Sequence, residues 1–141
     1  MGVGADEINR DRLGWARRAA LDTGATVVLK GARTVIADRT GEAYVNPTGN
    51  SGMATAGMGD VLAGMIGSLC AAGMSGLAAG YCSAYINGLA GDFAARDCGL
   101  DGMIAGDVLA RIPESFEAAR TKTAMLWAMM PIAHAHMPEG W

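Results

Sequence analysis

Residues 46–62 read NPTGNSGMATAGMGDVL, and this stretch constrains the chain more than any other. It opens as a Pro/Gly/Asn loop and brings Gly57-Met58-Gly59 to the threshold of Asp60 and an apolar run. Glycine accepts positive φ and carries no Cβ to hold a ligand away from the backbone. A helix that starts just past such a turn aims free N–H groups and its positive dipole end at the same spot, which favours an anion such as phosphate. An anion there would meet the backbone of Gly57, Met58, Gly59 and Asp60. Asp60 itself has two readings. It caps the following helix, as Asp commonly does, or it is a general base beside a phosphate cradle.

An anion bound by this chain has to be held locally. The net charge is −3 over 141 residues, which leaves no basic stripe for nucleic acid. Hydrophobic residues make up 51% and charged residues 18%, so the chain is expected to fold, and its length suits one domain with a real core. Cys70, Cys82 and Cys98 form no C-x-x-C pair and sit near no histidine cluster, so neither a disulfide framework nor a metal site is expected. Cys70 and Cys82 fall in apolar runs and read as buried small hydrophobes in a reduced, cytoplasmic setting. The N-terminus is charged early and lacks an apolar signal region.

Residues 61–91 contain no charge, a run long enough to span a bilayer. Gly76 and Gly80 even have the spacing of packed membrane helices. Gly73-Met74-Ser75-Gly76 breaks the run, however, and Ser75 is a good N-cap for the second piece. Two helices of a domain outside the membrane are therefore expected.

Local punctuation predicts the remaining elements. Asp6 and Glu7 open a helix that stops at Gly24. Residues 26–29 form a β-branched run, the pattern of a strand covered on both faces. Residues 34–37 and 43–45 flank Asp38-Arg39-Thr40-Gly41, a hairpin connection. Helices are expected at 61–72, 76–97 and 104–112, with Pro113 starting another at its first turn. The pattern is an α/β layer arrangement. Lys30 ends the first strand, which is where ligands bind in open parallel sheets; the alternative is a solvated lysine. Asn50 and Thr55 read as loop hydrogen-bonding groups, and Asn87 and Asp92 as helix polar groups that face solvent or cap loops. Residues 121–141 form a Met/Trp-rich tail whose His134 and His136 are too few for a metal site.

Three blocks together carry a resemblance: VVLKGARTVIAD at 27–38, NPTGNSGMATAGMGDVLAGMIGSL at 46–69, and YINGLAGDFAA at 85–95. Over roughly residues 25–118 the chain is similar to the NAD(P)H-hydrate dehydratase family, nucleotide-dependent repair enzymes of the ribokinase-like superfamily. The resemblance implies the C-terminal portion of a ribokinase-like layered fold, with a mostly parallel sheet, a hairpin and flanking helices. Residues 1–120 would form a partial nucleotide-binding domain. It implies nucleotide contacts at Lys30, Gly31, Ala32, Arg33, Thr34 and Gly59, with Asp60 facing the hydrated cofactor as base and substrate contact.

The implied reaction passes the terminal phosphoryl group of ADP or ATP, with Mg²⁺, to the hydroxyl of hydrated NADH or NADPH. Loss of phosphate then restores the double bond. A small-alcohol kinase, or a non-catalytic nucleotide-binding or membrane-associated helical module, is the alternative. Family members carry a further half-domain, with a TPHPGE-like segment, ahead of the region where this chain starts. The expectation is a truncated or split form that associates with itself or with that half.

Overall fold

The computed structural model describes residues 4–121. Its elements run α1 (Ala5–Arg10), α2 (Arg12–Thr23), β1 (Val27–Leu29), β2 (Val35–Ala37), β3 (Ala43–Val45), a 3₁₀ turn (Ser51–Met53), α3 (Met58–Ala71), α4 (Gly76–Cys98) and α5 (Ala105–Arg120). The tail beyond 121, with both histidines, lies outside the described residues.

The sheet corrects the expectation of mostly parallel strands. Its order is β1-β2-β3 and both pairings are antiparallel, with Val28 opposite Ile36 and Ile36 opposite Tyr44. The connections, 30–34 and 38–42, are far too short for the crossover that a parallel pair needs. The second turn behaves as the sequence predicts. Asp38 Oδ1 accepts from Thr40 N at 2.9 Å, Gly41 N donates to Asp38 O at 3.1 Å, and Gly41 takes φ +85°.

Layers form on both faces because β residues alternate. Val35, Ala37 and Ala43 pack on Ala16 and Ala20 of α2, while Ile36 points the other way onto Leu62 of α3 and Ala84 of α4. Only the central strand is fully buried; β1 is half-buried throughout, because it is an edge of this sheet. Truncating Ile36, which is wholly buried, would cost about 2–5 kcal/mol through lost transfer energy and the cavity left behind.

The helices differ from the sequence reading in three places. The first splits at Asp11, whose carboxylate accepts from Gly14 N at 2.9 Å and caps α2 instead of continuing α1. Gly24 ends α2 in the left-handed conformation, as expected. α5 runs unbroken through Pro113, because Val108, Ser115 and Ala119 on its buried side hold it against the core; packing outweighs the lost backbone bond here. The helix α3 buries only the stripe Met58, Leu62 and Met65, so its outer face, uncharged beyond Asp60, is exposed. Cys70 lies on that exposed face and Cys82 is only half-buried, against the expectation of burial; all three thiols are free. Ser75 caps α4 by accepting from Ala78 N at 3.3 Å. Among the described residues no helix is long and apolar enough to cross a membrane.

Candidate functional site

Lys30, Gly31, Ala32, Arg33 and Thr34 form the tight β1–β2 turn and line an open cleft of about 800 Å³, with Met58 and Gly59 of α3 also in its wall. The turn is built by three devices. Arg12 of α2 donates from Nη2 to both Leu29 O and Lys30 O at 2.9 Å, holding the chain where it leaves β1. Arg33 sits at φ +57°, a left-handed conformation uncommon for a side chain of its size. Thr34 donates from Oγ1 to Gly31 O at 3.2 Å, closing the loop on itself.

Opposite this turn, α3 begins at Gly57, which takes φ +84° and so reverses the chain into the helix. Asp60 N and Val61 N both donate to Gly57 O, at 3.1 and 3.2 Å. The N–H groups of Gly57, Met58 and Gly59 have no acceptor among the described residues, whereas Asp60 N–H is engaged. Gly59 is where the two walls meet. A Cβ built there would lie 2.5 Å from Lys30 Nζ, so the ammonium rests directly over the first turn of α3. A cation at the positive end of a helix is electrostatically unfavourable. Lys30 and Arg33 form no ion pair among the described residues to relieve it. An anion in the cleft would satisfy the amides and both cations together.

Asp60 lies elsewhere. It is the third residue of α3 and not its cap, its side chain makes no capping hydrogen bond, and it is exposed. It lines an adjoining groove between α3 and α5, with Leu69, Leu109 and Phe116, of about 480 Å³. The structure thus brings the residues expected to contact nucleotide, 30–34 and Gly59, into one cleft, and sets Asp60 in the adjoining groove. No cluster of three or more metal-ligating side chains occurs among the described residues.

A further wall of the cleft is residues 46–51, held by contacts to α4 that the sequence reading left unassigned. Asn46 Nδ2 donates to Thr48 O and Ala84 O, both at 3.1 Å. Thr48 Oγ1 lies 2.9 Å from Tyr85 O. Asp92 accepts from Gly49 N at 3.1 Å through Oδ2 and from Asn50 Nδ2 at 3.0 Å through Oδ1. Asn50 Oδ1 in turn accepts from Gly52 N at 3.1 Å and starts the 3₁₀ turn. Gly88 makes this contact sterically feasible, since a Cβ there would come 2.7 Å from the Thr48 carbonyl carbon. Asp92 therefore caps a loop, as one of its two readings held. Asn87 does not face solvent but is buried, 6% exposed, at the edge of the cleft. A signal that could have pointed here is the Asn-Gly-x-x-Gly-Asp spacing at 87–92, two glycines a turn apart beside a carboxylate.

Comparison with known proteins meets this geometry directly. The NAD(P)H-hydrate dehydratase family profile matches residues 1–114. The bifunctional NAD(P)H-hydrate repair enzyme of Moorella thermoacetica is 50% identical over 113 residues, covering 80% of this chain and 21% of that protein. The ADP-dependent (S)-NAD(P)H-hydrate dehydratase of Neisseria meningitidis is 41% identical over 109 residues, covering 77% of this chain and 37% of that protein. The solved ADP/ATP-dependent NAD(P)H-hydrate dehydratase of Bacillus subtilis, co-crystallised with ATP and Mg²⁺, superposes with a TM-score of 0.80 at 28% identity, covering 84% of this chain and 43% of its own. This chain therefore spans well under half the length of these relatives, and it belongs to the NAD(P)H-hydrate dehydratase family.

Proposed function

We propose that the cleft between the 30–34 turn and α3 binds the phosphates of ADP or ATP, and that the assembled enzyme uses that nucleotide to dehydrate hydrated NADH or NADPH. The observation that carries the reading is the convergence at Gly59: three backbone N–H groups without an acceptor among the described residues, the positive helix end and the Lys30 ammonium, which pairs with no carboxylate there. Such donors act most strongly where charge develops during phosphoryl transfer. The B. subtilis relative crystallised with ATP and Mg²⁺ supports the choice of ligand.

In this proposal Lys30 and the Gly57–Gly59 amides hold and orient the phosphates. Arg33, exposed on the cleft rim, supplies a second cation. Asp60 takes the proton of the hydrate hydroxyl as the phosphoryl group arrives, so the hydrate occupies the groove side of the first α3 turn. Mg²⁺, which neutralises phosphate charge when bound, commonly keeps several waters and uses one or two carboxylates plus the nucleotide. Among the described residues the cleft wall carries no carboxylate, so an ion there would be held by the nucleotide's phosphates and by water. The substrate pocket draws on parts of the family's length that this chain does not span.

Titration of the 141-residue chain with ADP or ATP and Mg²⁺, followed by thermal denaturation, tests the reading. Nucleotide that binds the folded form raises Tm by mass action, about 2.7 kcal/mol at 100 times Kd. An unchanged Tm at millimolar nucleotide would count against the cradle.

A further inference from the structure

Among the described residues, Asn87 is the one cleft-lining side chain with a buried polar atom left without a partner. It sits on α4 with 6% of its surface exposed, lines the cleft beside Ala84 and Gly88, and its Oδ1 accepts no hydrogen bond. Buried carboxamide oxygens are nearly always satisfied, because stranding one forfeits its hydration without return. The neighbouring hydrogen bonds do not reach it: Asn46 takes Ala84 O, Thr48 takes Tyr85 O, and Asp92 takes the Gly49 and Asn50 donors. Ser83, one turn earlier on the same helix, also lacks a partner but does not line the cleft.

We infer that Asn87 is a specificity residue for the nucleoside part of the ligand, its Oδ1 accepting from a neutral donor there. This rests on the nucleotide reading of the cleft. The chemistry follows from position and charge. The phosphates belong to the Gly57–Gly59 amides and Lys30, so an acceptor oxygen on α4 serves a different part of the molecule, one that carries an N–H or O–H. A nucleoside offers two such donors, a ribose hydroxyl and the exocyclic amine of adenine. A site built to hydrogen-bond a donor rejects the analogue that lacks it, because the buried acceptor is stranded again.

Calorimetric titration in Mg²⁺ distinguishes the sources. The ligands are ADP, 2′-deoxy-ADP, 3′-deoxy-ADP, purine riboside 5′-diphosphate (which lacks the exocyclic amine) and pyrophosphate. Wild type should bind ADP about 10- to 100-fold more tightly than the analogue missing the relevant donor, and the weak analogue names the source. Asn87→Leu should bind ADP as weakly as wild type binds that analogue and show no discrimination of its own. Its pyrophosphate affinity should be unchanged.

The stability of the ligand-free variant separates recognition from structure. An unsatisfied carboxamide destabilises the empty protein, so Asn87→Leu should raise its Tm or leave it unchanged. A lower Tm would show that the protein itself holds the group, and would overturn the inference. Should Asn87→Leu not fold, Asn87→Ala and the wild-type analogue series decide. Equal wild-type affinity for ADP and all three nucleoside analogues would overturn it without any variant, as would discrimination that persists in the variant. Pyrophosphate and ADP binding alike absent from wild type would overturn the nucleotide reading and this inference with it. ADP bound without dependence on Asn87 would overturn this inference alone.

Discussion

Gly59→Ala should stabilise the protein while weakening nucleotide binding, two effects of opposite sign from one methyl group. Gly59 is the second residue of α3 and is not among the positive-φ positions, so alanine adopts its backbone without strain. Alanine is favoured over glycine in a helix by up to about 1 kcal/mol. For a chain of this size that corresponds to a Tm rise of about 2–4 °C. The same methyl would stand 2.5 Å from Lys30 Nζ but 3.8 Å from Lys30 Cε, so only the ammonium has to move. That movement is easy in an exposed side chain and costs the fold little. It nevertheless displaces the cation from the cradle and fills the space over the Gly59 amide.

Losing one charge-assisted hydrogen bond is worth about 1.5–3 kcal/mol, or about 10- to 150-fold in Kd at tenfold per 1.4 kcal/mol. Paired measurements decide: thermal denaturation without ligand, and calorimetric titration with ADP and Mg²⁺. Unchanged Kd would show that the anion does not sit at Gly59. A fall in Tm would show that glycine is required there by the fold and not by a ligand.

Asp60→Asn in a catalytically competent assembly should lower kcat by about 10²–10⁴-fold with nucleotide Kd nearly unchanged; a near-normal kcat would leave Asp60 only its interaction with the helix dipole. Asp92→Ala strands the Gly49 and Asn50 donors and should cost about 1–3 kcal/mol by urea denaturation, with nucleotide affinity falling as the 46–51 wall loosens. Tyr44 donates to Glu42 Oε1 at 2.5 Å, and this bond, with partial burial second, lifts its phenol from 10.0 to about 12. A pKa raised by folding gives stability that is complete below pH 10 and is lost as pH climbs through about 12. Tyr44→Phe should therefore flatten the loss of unfolding free energy across that window, and an unchanged slope would refute the assignment.

Much of the site was legible because its signals are local. A glycine pair before an apolar run dictates a positive-φ turn and a helix start whatever surrounds it, and Gly57 and Gly59 do what the string requires. Ser75, Gly24 and the Asp38–Gly41 turn are likewise short-range, each depending on bonds within a few residues. Strand pairing is not local. The apolar run at β1 reads as doubly covered in either a parallel or an antiparallel sheet, and only the shortness of both connections decides for antiparallel. The split at Asp11 and the continuity of α5 through Pro113 turn on a side-chain bond and on packing, which a linear pattern weighs poorly.

By itself the sequence determined the Gly57 turn and the helix that follows it, since backbone freedom and dipole direction are properties of the segment. Only the tertiary structure decided what faces what. It set Lys30 over Gly59 across nearly thirty intervening residues, tied the 46–51 loop to Asp92, buried Asn87 against the cleft, and put Asp60 in the adjoining groove. Each is a meeting of side chains distant in the chain, decided by how α2, the sheet and α4 stack, and no spacing within one segment encodes it.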